Sequence, residues 1–204
     1  MKRVRREARG RASISQLEPL TVETDIVKVD LLVHFRLFVS AGDNIAMATL
    51  HNGDRFPAIA INAVGGGRIS LPGDLAGAYG VVLVYRGSWC PYCNAQLAGF
   101  ARAHAKLAEL GIKVVALSVD DEPTSAALID KLHLEFPVGY GANADCIAHT
   151  LGAYTNADPK YLQGTGFVLD PDGRVLIALY SSGAIGRLVA DDVAGFVRYV
   201  KTHP

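Results

Sequence analysis

Cys90 and Cys93 stand with only Pro91 and Tyr92 between them, and Trp89 immediately precedes the pair. At this spacing both sulfurs fit within one helical turn, so one can attack a substrate and the other can resolve the mixed disulfide. The attacking thiol must ionise, and a helix N-terminus favours that, because its unpaired N–H groups and dipole stabilise thiolate over thiol. Pro91 suits the first helical turn, where its missing N–H costs nothing. Arg86 adds a positive charge nearby in the chain. Cys90, nearer the helix start, is expected to be the more exposed sulfur and the first nucleophile, with Cys93 resolving. Trp89, Pro91 and Tyr92 are candidate substrate contacts. A zinc site is the competing reading, since Cys146 and His149 form a second pair at the same spacing and complete a Cys₃His set on paper. The aromatic flanks and the setting between a strand and a helix favour redox chemistry, and neither a metal nor a cofactor is expected. Cys146 reads as a small buried residue on a helix face.

That setting rests on the elements around the dithiol. Val81 to Tyr85 is a continuous apolar run rich in β-branched residues, the pattern of a strand buried on both faces. Pro91 to Leu110 follows as one long helix with Leu97, Phe100, Ala101, His104, Leu107 and Ala108 on its core stripe, stopped by Gly111. Lys113 to Val119 is a second buried strand, completing a parallel βαβ unit. Upstream, Phe56 to Asn62 and Arg68 to Leu71 flank Gly65-Gly66-Gly67 as a hairpin. Downstream come a helix from Asp121 to about Leu132, an extended piece at Phe136 to Val138 and a helix over 143–153. A hairpin then turns at Asp170-Pro171-Asp172-Gly173, and an amphipathic helix follows Asp191. This is the order of a thioredoxin-like α/β fold, a central mixed β-sheet flanked by helices with an N-terminal hairpin, and it is one of several folds the elements alone would suit.

Composition excludes several other classes. The 204 residues balance 20 basic against 20 acidic side chains, and no basic field is available to hold nucleic acid. Half the residues are hydrophobic, enough for a sizeable core. Three cysteines are too few for a disulfide-stapled secreted scaffold and suit a reducing, cytoplasmic setting. Residues 1–46 open with a basic head, followed by acidic residues and the short apolar run Leu31 to Val39, which carries His34 and Arg36. That arrangement fits neither a signal peptide nor a membrane span. Residues 1–46 therefore read as a poorly ordered N-terminal extension, dispensable for folding, with residues 47–204 as the domain.

The segment VVLVYRGSWCPYC, Val81 to Cys93, resembles the active-site stretch of the peroxiredoxin-like branch of the alkyl hydroperoxide reductase/thiol-specific antioxidant family, in the thioredoxin superfamily. The likeness extends from Gly53-Asp54-Arg55-Phe56-Pro57 to the hairpin FVLDPDGRV. It implies the thioredoxin-like fold, thiol chemistry on a disulfide or hydroperoxide, and a thiol reductant such as thioredoxin, glutaredoxin or glutathione, with a homodimer as a candidate assembly and no membrane partner. The departures bear on mechanism. Peroxiredoxins carry P-x-x-x-T-x-x-C with the last Cys attacking peroxide; in that register Cys93 is the attacking sulfur, Arg86 stands at the proline and Cys90 at the threonine. Their later arginine is replaced by Gln163-Gly164-Thr165-Gly166, where Thr165 is a further candidate substrate contact. Two function classes stay open: an enzyme exchanging thiols and disulfides or reducing peroxides, and a redox-fold module whose dithiol senses or binds.

Overall fold

The computed structural model describes residues 49–203, and the predicted extension over residues 1–46 lies outside them. The central strand β3, Tyr79–Val84, is built from the apolar run read in the sequence, and Val81, Val82, Leu83 and Val84 are all buried. Its alternate side chains enter two cores on opposite faces of the sheet, Val81 and Leu83 in one and Val82 and Val84 in the other. Full burial of each such side chain contributes about 1.5–3 kcal/mol, so this strand anchors the domain.

Around it lie β1 (Ile59–Ala63), β2 (Arg68–Leu71), β4 (Ile112–Leu117), β5 (Val138–Tyr140), β8 (Thr165–Leu169) and β9 (Val175–Tyr180), in the order β2-β1-β5-β4-β3-β8-β9. β3 pairs in parallel with β4, from Tyr79 opposite Ile112 to Val84 opposite Leu117, and antiparallel with β8, where Val84 faces Thr165. The β1–β2 and β8–β9 hairpins form at the turns read from glycine and proline. A small separate ribbon, β6 (Thr155–Asn156) and β7 (Tyr161–Leu162), was not expected from the sequence, because two-residue strands leave no periodicity to detect.

The predicted long helix is two helices, α1 (Pro91–Arg102) and α2 (His104–Glu109). Ala103, at φ −90° and ψ 0°, breaks the register. A continuous helix would have driven His104 and Ala108 into the core. The break instead leaves Leu107 buried, Ala108 exposed and His104 at the rim, its Nδ1 2.8 Å from Glu135 Oε2. Helices α3 (Glu122–Leu132), α4 (Ala144–Leu151) and α5 (Ala190–Thr202) match the sequence reading to within a few residues. α1, α2, α3 and α5 contribute to the core that contains both Cys90 and Cys93, and α4 contributes to the other.

Cys146 corrects the expectation of a buried thiol. α4 buries Ala144, Ile147, Ala148 and Leu151, a stripe at i, i+3, i+4 and i+7, and Cys146 falls off that stripe and is exposed. Among the described residues no three His, Cys, Asp or Glu side chains converge in a way that could hold a metal ion. No helix among them is long and apolar enough to cross a membrane.

Candidate active site

β3 ends at Val84, and Tyr85 to Trp89 turn the chain into α1 at the carboxyl edge of the sheet, the side where open α/β sheets bind ligands. Cys90 is the N-cap of α1, with extended backbone (φ −85°, ψ 113°), Pro91 occupies the first turn, and Cys93 follows in the same turn. Both sulfurs therefore sit at the positive end of the helix.

The turn is fixed from both sides. The Ser88 N–H donates to Asp120 Oδ2 at 2.7 Å, and Asn94 Nδ2 donates to the Ser88 carbonyl at 2.8 Å. Gly87 has φ +149°, and a Cβ there would overlap the indole of Trp89, so only glycine lets the ring fold back over the turn. Burial pushes the Asp120 carboxyl above its ordinary range, against the opposing pull of the Ser88 N–H.

Arg86 is held over the dithiol by aromatic rings. Its guanidinium carbon lies 4.8 Å from the centre of Trp89 and 5.0 Å from the centre of Tyr161, and the two rings meet edge to face at 5.0 Å. Nη2 donates to Tyr161 Oη at 2.7 Å, while Nη1 faces Cys90 Sγ at 3.9 Å. On Cys93 the donors differ: the Arg86 backbone N–H donates to Sγ at 3.4 Å, and Arg187 Nη2, from the loop between β9 and α5, donates at 3.5 Å.

These environments split the two thiols. Burial alone would raise Cys90, but its interactions with Cys93 and the Arg86 cation outweigh it and hold the thiol below its ordinary range. Burial dominates at Cys93 and raises it, helped by the hydrogen bond with Cys90 and only partly offset by Arg187. The expectation that Cys90 is the exposed sulfur is corrected: both cysteines are 0% exposed. The pocket that makes Arg86 useful also covers the sulfur beside it. Trp89 (54% exposed) and Tyr92 (51%) form the outer rim instead, and Pro91 is exposed beside them.

Thr165 is brought to the neighbouring strand, opposite Val84, but it is buried and its hydroxyl donates to the Gln163 carbonyl at 3.3 Å. A groove of about 430 Å³ runs between α1 and the β9–α5 loop, lined by Tyr92, Gln96, Arg187, Leu188 and Val189 among others. A second cavity of about 370 Å³, lined by Leu75, Ala108, Ile112 and Phe136 among others, lies at the opposite edge of the sheet and includes neither Cys90 nor Cys93.

Sequence reasoning missed Tyr161, Asp120 and Arg187. The first two lie far along the chain and carry no local pattern. Arg187 did leave a signal. Gly164 and Gly166 stand on either side of Thr165, and glycines placed so mark close approach by another segment.

The sequence profile of the AhpC/TSA family matches residues 52–177, more than half of the chain. A peroxiredoxin of Treponema denticola is 29% identical over 139 residues, covering 66% of each chain. A peroxiredoxin of Methanothermobacter marburgensis is 28% identical over 147 residues, covering 69% of this chain and 68% of that relative. The chain thus spans about two thirds of the length of these relatives. Among solved structures, Mycobacterium tuberculosis AhpC superposes with a TM-score of 0.66 at 19% identity, over 76% of this chain and 96% of that one. Peroxidoxin BcpB of the same organism gives 0.64 at 20% identity, over 74% and 98%. These likenesses show the thioredoxin-like fold read from the elements, and the profile match carries the assignment: the chain belongs to the AhpC/TSA family of thiol-based oxidoreductases.

Proposed function

We propose that the chain reduces disulfides and hydroperoxides with Cys90 as the attacking thiolate and Cys93 as the resolving thiol. The observation that carries this reading is the Arg86 guanidinium, clamped between Trp89 and Tyr161 and facing Cys90 Sγ. A cation so placed, with the hydrogen bond from Cys93, offsets the burial of Cys90, whereas at Cys93 burial prevails over Arg187. With a hydroperoxide, the Cys90 thiolate takes the terminal oxygen: an S–O bond forms, the O–O bond breaks, and the alkoxide leaves and is protonated to the alcohol. Cys93 then displaces the oxygen as water, forming the 90–93 disulfide, and two equivalents of an external thiol restore the dithiol. A thioredoxin, glutaredoxin or glutathione type of reductant fits this last exchange, as does a cytoplasmic location that keeps such thiols reduced. Trp89, Pro91 and Tyr92 form the rim that a substrate meets first.

Disulfide exchange needs only a low-pKa thiolate and a resolving thiol, whereas peroxide reduction also needs donors aimed at the breaking bond. The threonine hydroxyl and the later arginine of the peroxiredoxin pattern are missing from their expected positions here, so disulfide reduction should be the faster reaction. The test is stopped-flow oxidation of the reduced protein by hydrogen peroxide and by a small disulfide, with Cys90→Ser and Cys93→Ser alongside. Sulfenic acid trapped on Cys90 in Cys93→Ser, and a 90–93 disulfide in the parent, are the expected products. A second reading makes Cys93 the attacking sulfur, favoured by its register with the family's attacking cysteine and by the two N–H donors on its Sγ. Sulfenic acid appearing first on Cys93 would establish that reading and end ours.

A further inference from the structure

Glycines stand on either side of Thr165, Gly164 just before β8 and Gly166 within it, and the loop ahead of α5 fills the space they leave. A Cβ at Gly164 would overlap the Arg187 guanidinium, and one at Gly166 would lie 2.7 Å from Leu188 Cδ1. One bond ties the loop to α1, and another within the loop orients the guanidinium. Gln96 Nε2 of α1 donates to the Leu188 carbonyl at 3.1 Å, and Arg187 Nη1 donates to the Gly186 carbonyl at 2.7 Å. Arg187 Nη2 is thereby left at 3.5 Å from Cys93 Sγ, and the buried Nε has no partner. Among the described residues no carboxylate pairs with this guanidinium. A half-buried cation whose partners are a carbonyl and a sulfur lacks a counter-charge, and a thiolate at Cys93 would supply one.

We infer that Arg187 is a further catalytic residue, which generates and holds the Cys93 thiolate for the step that closes the 90–93 disulfide. This rests on the reading above, in which Cys93 resolves. Cys93 otherwise stays neutral, because it is buried and its remaining neighbours offer little charge. Cys90 precedes it on the same helix, Tyr85 lies at the end of β3 with Asp120 beyond it, and Arg86 turns its guanidinium toward Cys90. In the closing step the Cys93 thiolate attacks the Cys90 sulfur and an S–S bond forms. From the sulfenic acid, the S–O bond breaks and hydroxide leaves as water after taking a proton. From a mixed disulfide, the old S–S bond breaks and the substrate leaves as thiolate. Arg187 is unchanged throughout, and each sulfur has its own arginine.

Two variants of the full chain test this independently. Arg187→Gln removes the charge but keeps a hydrogen-bonding side chain. Gly164→Ala leaves Arg187 in the sequence but places a methyl group where its guanidinium lies, and a flexible side chain can move aside with little loss of stability. Reduced protein is mixed with excess hydrogen peroxide; sulfenic acid is trapped with dimedone, and disulfide closure is followed by mass spectrometry across pH. In both variants closure should slow about threefold at pH 7 for each unit by which the Cys93 thiol rises, because about tenfold less thiolate is offset about threefold by its greater basicity, with the pH midpoint displaced upward. The slower closure should let over-oxidised Cys90 accumulate. Closure at the parent rate and midpoint in both variants, with oxygen still on Cys90, would overturn the role of Arg187 and leave the proposed function standing. Oxygen first on Cys93 would instead overturn that function, and with it the role assigned to Arg187.

Discussion

Replacing Arg86 by Met keeps an apolar stem between Trp89 and Tyr161 and removes the charge 3.9 Å from Cys90 Sγ. At that distance two unit charges interact by about 4 kcal/mol at an effective dielectric constant near 20, and by about 1 kcal/mol in water. Arg86 is half-buried, so about 1–2 kcal/mol is the appropriate figure, equivalent to roughly one pKa unit. Below both thiol pKa values the variant then has about a tenth of the parent's thiolate. Each thiolate is more basic, however, and with a Brønsted slope near 0.4–0.5 its attack is about threefold faster. Net disulfide exchange by Arg86→Met should therefore be about threefold slower below both thiol pKa values and about threefold faster above both, so the two profiles cross. Peroxide reduction by the variant should fall with the same loss of Cys90 thiolate. Trp89 is the only tryptophan in the chain and touches Arg86, so its fluorescence can follow both reactions in a Cys93→Ser background. Disulfide profiles of parent and variant that superimpose across pH would refute the action of Arg86 on Cys90.

Gly166→Ala should destabilise by about 1–3 kcal/mol in urea melts, because its methyl group would crowd buried Leu188 rather than a flexible tip. Asp120→Asn can still accept from the Ser88 N–H while carrying no charge. The Asp120 carboxyl is raised by burial, so the wild type is most stable with it protonated and loses that contribution as pH rises from the unfolded value through the raised folded one. The variant's stability should be flatter over that window in melts taken at successive pH values, and an unchanged pH slope would contradict the assignment. A chain beginning at Met47 should melt close to the full chain; a fall of more than about 4 °C, equivalent to about 1 kcal/mol or more, would show that residues 1–46 contribute to stability.

What could be read in the sequence was what is local. Val81 to Tyr85 announced a buried strand because consecutive β-branched residues fit few other environments, and the dithiol then had to open the following helix. The α1–α2 break was not legible, because alanine at position 103 suits a continuous helix and only the packing of Leu107 against the core requires the turn. Burial of Cys90 was not legible either: exposure at a helix start depends on what covers it, and here the neighbouring arginine is stacked by Tyr161 from a ribbon seventy-five positions away. Arg187 lay between these cases. The empty positions at Gly164 and Gly166 said that something approaches, and only the fold says what.

The dithiol's two sulfurs are chemically identical and share one helical turn, so helix position alone cannot divide their labour. The division comes from unequal burial, from the hydrogen bond between the two sulfurs and from an arginine beside each. Arg86 meets Cys90 with a guanidinium held by two rings, while Cys93 receives a backbone N–H and a second guanidinium that enters through a gap left by glycine. Burial sets the order between them. Cys93 is raised despite its donors, and Cys90 is lowered despite its burial, so as pH rises Cys90 gives up its proton before Cys93 does. Attack by Cys90 consumes its thiolate charge and leaves the cations at the helix start without an anion, which favours loss of the proton from Cys93 at the moment the resolving step needs it. The same pair would work in reverse order if Arg187 were the stronger influence. The site of the first trapped oxygen is therefore the measurement that separates a disulfide reductase with modest peroxidase activity from a peroxidase whose attacking sulfur is Cys93.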